Sequence, residues 1–176
     1  AYNNIKDITK QHAPMATNPF YGAHLLDENV FLDYSSQMVK KLLLADKDET
    51  EIVCYGFKEV RYINILDNLF EYLDFLTKIF PNVAFVFNTR KMEDVLKSGW
   101  WPERDQTETT NNMIRCEKMF AAYQQTHTNS FLITYEDVLS KSPKLAALFT
   151  FLGATYLEDT IDKVLATPHS YNPRKT

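Results

Sequence analysis

Glycine is scarce in this chain, which has only four among its 176 residues: Gly22, Gly56, Gly99 and Gly153. None of them forms a GxGxxG turn or a GxxxxGK[ST] loop, the two glycine-rich segments that let a backbone approach the phosphates of a nucleotide. The triplet Lys97–Ser98–Gly99 lies late in a predicted helix, where it cannot cradle a phosphate. Dinucleotide-dependent oxidoreductases are therefore disfavoured, and so are kinases that need a phosphate-loop lysine.

Cysteine, histidine and long apolar runs are also sparse. Cys54 and Cys116 cannot build a disulfide framework, so the prediction for both is a reduced, buried thiol. The four histidines are scattered without zinc-ligand spacing, and no serine-nucleophile elbow is present. No apolar run approaches the roughly 20 residues that span a bilayer, and the first residues do not resemble a signal peptide. Zinc enzymes, serine hydrolases and membrane proteins are disfavoured, and a cytoplasmic location is expected.

Composition indicates an ordinary globular protein. The chain is 45% hydrophobic and 14% aromatic, which is enough for one domain, 1–176, with a substantial core. Its formal net charge is −4, so neither nucleic acid nor an anionic membrane surface is an expected partner. Any anion site must therefore be local.

Helical and strand-like hydrophobic patterns alternate along the chain, after a polar and irregular segment 1–26. The pattern predicts helices at 28–44, at 64–80, from after the turn at Arg90 through Ser98, at 108–126, from Ser142 to Gly153, and at 157–166. It predicts buried strands at 51–57, 83–88 and 130–136. Strands that are separated by helices imply right-handed crossovers, and therefore an α/β fold with a mainly parallel sheet and helices on both faces.

The segment Val83–Ser98, VAFVFNTRKMEDVLKS, is the most informative part of the chain. It predicts a buried strand, a short turn that carries Arg90, and a helix that contains Ser98. Ligands of open parallel sheets lie beyond the carboxyl ends of strands, where a planar guanidinium is suited to a phosphate or sulfate. An anion site is one interpretation; the alternatives are a surface ion pair for Arg90 and an ordinary helical position for Ser98.

In Arg90, Ser98 and the segments described next, the chain resembles sulfotransferases that use 3′-phosphoadenosine 5′-phosphosulfate, a family with a P-loop NTPase-like fold. Four segments carry the resemblance and together cover roughly residues 51–175. They are YGFKEVRY (Tyr55–Tyr62), FPNVAFVFNTRKMEDVLKSGWW (Phe80–Trp101), FLITYEDV (Phe131–Val138) and the tail from Leu148 to Lys175. They occur in the family's order, which makes the combination more specific than any one of them.

The resemblance implies a donor site for 3′-phosphoadenosine 5′-phosphosulfate and no metal. Arg90 and Ser98 would hold the 3′-phosphate, Tyr135 would stack on or hydrogen-bond near the adenine, and Arg174 with Lys175 would close over the phosphate. The acceptor would be a hydroxyl or amine on a small molecule or a glycan. The alternatives are a core position for Tyr135 and a solvated basic terminus for Arg174 and Lys175.

Three charged residues, Lys58, Glu59 and Arg61, crowd the end of the strand predicted at 51–57. Sulfuryl transfer needs a base for the acceptor hydroxyl and a cation beside the bridging oxygen, as in phosphoryl transfer. Glu59 would be the base and Lys58 or Arg61 the cation, although a solvated charge cluster is the alternative. The family more often has a histidine here. Trp100 and Trp101 would line an acceptor cleft or form a hydrophobic lid.

The family's first strand and its phosphosulfate-binding loop have no counterpart in residues 1–26. That strand lies centrally in the family's sheet, between the strands that match 51–57 and 83–89. The resemblance therefore implies an N-terminally truncated piece with unpaired strand edges. Direct pairing of the two strands or a strand donated by another copy would relieve them, and some self-association into a homo-oligomer is expected. A non-catalytic binding or structural protein that retains the fold is the alternative function.

Overall fold

The computed structural model describes residues 25–167, together with Asp7, Tyr21 and Gly22. Its regular elements are α1 (Glu28–Leu44), α2 (Leu69–Ile79), β1 (Phe85–Thr89), α3 (Met92–Leu96), α4 (Gln106–Thr126), β2 (Ser130–Thr134), α5 (Tyr135–Leu139), α6 (Pro143–Phe151) and α7 (Glu158–Ala166). Three 3₁₀ helices, Glu49–Glu51, Tyr62–Asn68 and Trp101–Glu103, lie between them. The chain divides into two compact units, Ala1–Glu59 with Leu73–Pro81, and Val60–Tyr72 with Asn82–Thr176. The irregular structure predicted for 1–26 lies almost wholly outside the described residues.

Most of the predicted helices are confirmed, because clear local signals fix their ends. Helix α1 has the predicted bounds, and the Asp27 side chain caps it by accepting a hydrogen bond from the Asn29 amide at 2.8 Å. Helix α6 begins at Pro143, as predicted, and ends in a left-handed Gly153 (φ +66°). The Gly153 and Ala154 amides donate to the carbonyls of Thr150 and Phe149, which satisfies the last turn of the helix.

The core of the first unit lies between α1 and the C-terminal part of α2. Leu73, Leu76 and Ile79 of α2 are buried, as their helical spacing predicts. Phe31 of α1 contacts Phe75 with ring centroids 6.4 Å apart, and Glu28 lies 3.7 Å from the Lys78 ammonium. These apolar contacts hold α1 against α2, whereas the exposed ion pair adds little to stability.

The prediction of a strand at Glu51–Phe57 is wrong. Glu51 ends a 3₁₀ helix, and residues 52–60 have no regular structure. Val53 is fully exposed, and Tyr55 and Phe57 are also exposed. An apolar, alternating segment needs a neighbouring strand to satisfy its backbone, and among the described residues only β1 and β2 pair. The prediction of a buried thiol is wrong for Cys54, which lies in this segment and is exposed, and is confirmed for Cys116.

The second unit contains a two-stranded parallel sheet, in which Phe85 pairs with Ser130 and Thr89 with Thr134. Phe85 and Phe87 point to one face, where Phe87 stacks on Phe120 of α4 with ring centroids 4.3 Å apart. Alternation sends Phe131 to the opposite face, where its ring lies 5.4 Å from that of Phe151 in α6.

The architecture is therefore α/β, with parallel strands and helices on both faces of the sheet. The expectation of a mainly parallel sheet is overstated, because helices dominate and the described residues form only two strands. The outer edge of β1 pairs with no strand in the described part of the chain. Among the described helices, none has the length and apolar character that crossing a membrane requires.

The two cysteines provide a test of the packing around α4. Cys116 is only 6% exposed, and burial raises the pKa of its thiol to about 12. Its thiolate fraction is then roughly a thousandfold below that of an ordinary cysteine with a pKa near 8.5. We expect Ellman's reagent to modify one thiol per chain in the native protein and two after denaturation. Cys54→Ser should leave the native protein unreactive, and modification of both thiols without denaturant would contradict this packing.

Candidate active site

Arg90 and Tyr135 lie side by side at the carboxyl ends of the two strands. The last residues of these strands, Thr89 and Thr134, are register partners, so the residues that follow them emerge at the same edge of the sheet. The Arg90 guanidinium carbon lies 4.7 Å from the centroid of the Tyr135 ring, a cation–π contact. The structure thus brings together two of the predicted donor-binding residues, at the edge where open parallel sheets bind ligands.

Two carboxylates that the sequence analysis did not identify flank this pair. Asp94 Oδ2 lies 4.0 Å from Arg90 Nε, one helical turn further along the chain. Glu136 Oε1 accepts a hydrogen bond from the Lys91 amide at 3.2 Å. The amide at the start of α3 therefore already binds an oxyanion, the side chain of Glu136. The spacing of Arg90 and Asp94 could have indicated the first contact, but only the parallel pairing brings Glu136 to Lys91.

Ser98 does not lie in a helix, which corrects the prediction of one that runs through it. Helix α3 has five residues and ends at Leu96, and Ser98 lies in the turn that follows. Its hydroxyl donates a hydrogen bond to the Val95 carbonyl at 2.9 Å. Because a phosphate oxygen only accepts hydrogen bonds, Ser98 would have to release Val95 before it could donate to a phosphate. Arg90 is therefore the stronger candidate of the two.

Tyr135 opens a helix and does not continue the strand, which corrects the strand predicted through Glu136. The reason is a capping box: the Thr134 hydroxyl accepts from the Asp137 amide at 3.0 Å, and the Thr134 amide donates to Asp137 Oδ2 at 3.1 Å. The Thr134 hydroxyl also donates to that carboxylate, and Ser142 donates to its other oxygen. The hydrogen bonds from Thr134 and Ser142 lower the pKa of Asp137. The cap fixes the direction in which Tyr135 leaves the sheet.

This cap makes a prediction about stability. Thr134→Ala should lower the free energy of unfolding by about 1 kcal/mol, the usual loss of a helix N-cap. Asp137→Asn should also destabilise the protein near neutral pH. Because folding lowers the pKa of Asp137, its contribution is complete above the unfolded pKa of about 3.9 and is lost as the pH falls through the folded value.

Urea denaturation at several pH values would measure both effects. The difference between the wild type and Asp137→Asn should shrink as the pH falls below about 4. Asp74→Asn, on the exposed side of α2, is the matched control and should change little at any pH. A deficit of Asp137→Asn that did not depend on pH would contradict the assignment of these hydrogen bonds.

Lys58, Glu59 and Arg61 do not follow a strand, because no strand forms at 51–57. All three lie in the irregular part of the chain before the 3₁₀ helix Tyr62–Asn68. Lys58 and Glu59 belong to the first unit and Arg61 to the second. Their roles as base and cation stay predictions. Arg174 and Lys175 lie outside the described residues.

Arg61 instead contributes to a cavity of about 260 Å³ in the second unit, together with both tryptophans. Its lining is Arg61, Ile63, Asn64, Trp100, Trp101 and Arg104. A second cavity of about 320 Å³ shares Ile63, Asn64 and Arg104 with the first and adds Asp105, Glu108, Thr109 and Asn112. Neither lining includes Arg90, Ser98 or Tyr135. Sequence reasoning found the tryptophans but not Asn64 or Arg104, because only the fold brings 61–64 to the start of α4.

The described residues contain no group of three histidine, cysteine, aspartate or glutamate side chains that could hold a metal ion. Comparisons with protein-family models, curated proteins and solved structures found no match to the chain. The assignment to a family therefore depends on the four sequence segments alone and stays a prediction.

Proposed function

We propose that this chain is a sulfotransferase-like protein that transfers a sulfuryl group from 3′-phosphoadenosine 5′-phosphosulfate to a hydroxyl or amine acceptor. The observation that carries the proposal is the contact between Arg90 and Tyr135 at the carboxyl ends of two parallel strands. A guanidinium beside an aromatic ring offers a phosphate fork and a flat apolar surface, which suit the 3′-phosphate and the base of an adenosine bisphosphate. A P-loop NTPase-like sheet, completed by strands beyond the two described, belongs to the same proposal.

The nucleotide would compete with Asp94 for Arg90 and with Glu136 for the Lys91 amide. Asp94 lies 4.0 Å from Arg90 Nε, and this exposed ion pair is worth at most about 1 kcal/mol. A phosphate that binds the guanidinium with two hydrogen bonds gains more than that, so it displaces Asp94. The Lys91 amide is held by Glu136 and contributes to binding only if that carboxylate moves.

In the proposed reaction, the acceptor oxygen or nitrogen forms a bond to sulfur while the bond between sulfur and the bridging phosphate oxygen breaks. Glu59 takes the proton of the acceptor group, and the negative charge that develops on the bridging oxygen is stabilised by Lys58 or Arg61. Positioning and charge stabilisation provide most of the rate acceleration in such in-line displacements. Arg90, Ser98, Tyr135, Arg174 and Lys175 hold the nucleotide and take no part in bond breaking.

A direct test is to incubate the protein with 3′-phosphoadenosine 5′-phosphosulfate and a mixture of hydroxyl and amine acceptors, and to follow the formation of 3′,5′-bisphosphoadenosine and sulfated product. Stoichiometric formation of both supports sulfuryl transfer. Release of the bisphosphate without sulfated product indicates hydrolysis and contradicts transfer.

A non-catalytic nucleotide-binding protein is the second candidate. It is favoured by the absence of a glycine-rich phosphate loop from the described residues. Calorimetry distinguishes the two candidates, because binding of 3′,5′-bisphosphoadenosine without turnover identifies the binding protein. Absence of both binding and turnover excludes both.

A further inference from the structure

A cavity lined by both tryptophans of the chain lies apart from the Arg90–Tyr135 pair. Trp100 and Trp101 form its aromatic wall, with ring centroids 5.8 Å apart and ring planes tilted by 39°. Trp100 is 45% exposed, and the Arg104 guanidinium lies over the Trp101 ring, 5.6 Å from its centroid. Trp100 therefore offers an accessible aromatic surface, and a cation lies over the neighbouring Trp101 ring.

The loop that carries the aromatic wall is fixed by hydrogen bonds. Gln106 donates to the carbonyls of Trp101 and Arg104, at 2.7 Å and 3.0 Å. The Trp101 amide donates to the Ser98 carbonyl at 3.2 Å, and the Arg104 amide to the Trp101 carbonyl at 3.1 Å. Because these bonds exist without a ligand, binding would require little ordering of the loop.

The two cavities share lining residues and form a double cavity whose charge changes from one end to the other. Arg61 lines only the tryptophan cavity, Asp105 and Glu108 line only its neighbour, and Arg104 and Asn64 line both. Asn112 adds a second amide to the neighbouring cavity. Asp105 uses Oδ1 to cap α4, accepting from the Glu108 amide at 2.7 Å. One end of the double cavity therefore favours an anionic group, and the other end favours neutral groups that donate hydrogen bonds.

We propose that this double cavity binds an acidic oligosaccharide. A sugar ring would lie against the Trp100 and Trp101 rings through its apolar C–H face, as aromatic side chains pack against amphipathic ligands. Its carboxylate would pair with the guanidinium groups of Arg61 and Arg104, which match planar oxyanions. The hydroxyls of the next sugar would donate to Asp105 and Glu108 and exchange hydrogen bonds with the two amides.

Electrostatics favours this ligand over a polyanion. The two carboxylates in the adjoining cavity would repel a second phosphate or sulfate, and the whole chain has a net charge of −4. A purely apolar ligand would offer no group to replace the hydration that the Arg104 guanidinium loses. If the chain is a sulfotransferase, the oligosaccharide is its acceptor; this last clause rests on the proposed function, whereas the binding does not.

The fluorescence of tryptophan reports on this site alone, because Trp100 and Trp101 are the only tryptophans in the chain. The probe is a hyaluronan tetrasaccharide, which alternates uronic acid and neutral sugars, and the control ligand is the uncharged cellotetraose. We expect the hyaluronan fragment to change the tryptophan emission and to bind at least roughly tenfold more tightly than cellotetraose, as a charge-assisted contact implies.

Arg104→Gln and Arg61→Gln should each weaken binding of the hyaluronan fragment about tenfold, whereas Arg115→Gln, which lies elsewhere on α4, should not change it. Thermal unfolding of each variant would show whether it is folded. If Arg104→Gln does not fold, Arg61→Gln, at an exposed position, tests the same prediction. Equal binding of both tetrasaccharides would overturn the proposal, as would unchanged binding by both arginine variants. A tryptophan response to 3′,5′-bisphosphoadenosine but not to the saccharide would also overturn it.

The failure of this proposal and the failure of the proposed function have different signatures. Loss of saccharide binding with intact nucleotide binding that depends on Arg90 contradicts only the oligosaccharide site. Saccharide binding without any nucleotide binding contradicts only the sulfotransferase proposal.

Discussion

Arg90→Ala is expected to weaken the binding of 3′,5′-bisphosphoadenosine roughly 10- to 150-fold, because a charge-assisted contact to a phosphate is worth about 1.5–3 kcal/mol. Arg90 is half exposed and lies over Tyr135, so its removal opens no cavity in the core. The loss should therefore appear in nucleotide affinity and not in stability. Isothermal calorimetry with the wild type and the variant measures the first, and thermal unfolding measures the second.

Two further variants make this test specific. Arg115→Ala removes another exposed arginine of the second unit, one that pairs with Asp67 at 2.6 Å, and should leave the nucleotide affinity unchanged. Asp94→Asn removes the carboxylate that competes for Arg90 and should tighten binding roughly 1.5- to 5-fold, the range for an exposed ion pair. Arg90→Ala should therefore weaken nucleotide binding, whereas Asp94→Asn should strengthen it.

Unchanged affinity in Arg90→Ala would remove Arg90 from the nucleotide site. An equal loss in Arg115→Ala would indicate a nonspecific effect of charge. In either case the Arg90–Tyr135 contact would be a structural stacking interaction, and the proposed function would lose the observation that carries it.

The sequence predicted the helices of this chain better than its strands, because the helices have caps that are local. Asp27 and Gly153 mark helix ends through side-chain and backbone chemistry that operates within a few residues. The strand β1 was also predictable, since Phe85 and Phe87 alternate with exposed residues and pack on α4. These signals need no knowledge of distant partners.

The segment 51–57 shows why the rest was harder to predict. Its apolar residues have the composition of a strand, yet a strand forms only when another segment satisfies its backbone. Whether such a partner is present is a property of the whole sheet, which a local pattern cannot report. Val53 and Phe57 are consequently exposed in the structure although their residue types are typical of a core.

Part of the candidate site was also predictable from the sequence, and part of it was not. Arg90 was predictable because it follows a strand, and its proximity to Tyr135 follows from parallel pairing in register. Glu136 at the Lys91 amide was not predictable, because 45 residues separate the two in the chain. The capping box that starts a helix at Tyr135 has a sequence signal, a threonine followed three residues later by an aspartate. The sequence analysis did not use that signal and extended the strand through Glu136.

Glu59→Gln is expected to lower the turnover of sulfuryl transfer by about 10²–10⁴-fold while leaving the binding of 3′,5′-bisphosphoadenosine nearly intact, since removal of a general base has this effect on rate. Glutamine keeps the size and polarity of the side chain but cannot accept the acceptor's proton. Glu51→Gln is the matched control, because it makes the same replacement at an exposed position in the same unit. It should turn over at the wild-type rate.

The choice of acceptor separates a base from a residue that merely supports the local structure. An aliphatic alcohol must lose its proton during the reaction, whereas a nitrophenol is already largely ionised near neutral pH. If Glu59 is the base, Glu59→Gln should lose most of its activity toward the alcohol and much less toward the nitrophenol. Equal losses for both acceptors would assign Glu59 a structural role, and wild-type rates for both would place it in a solvated charge cluster. If Lys58 is the cation, Lys58→Gln should lose similar activity toward both acceptors, because the cation stabilises the leaving group whichever acceptor attacks.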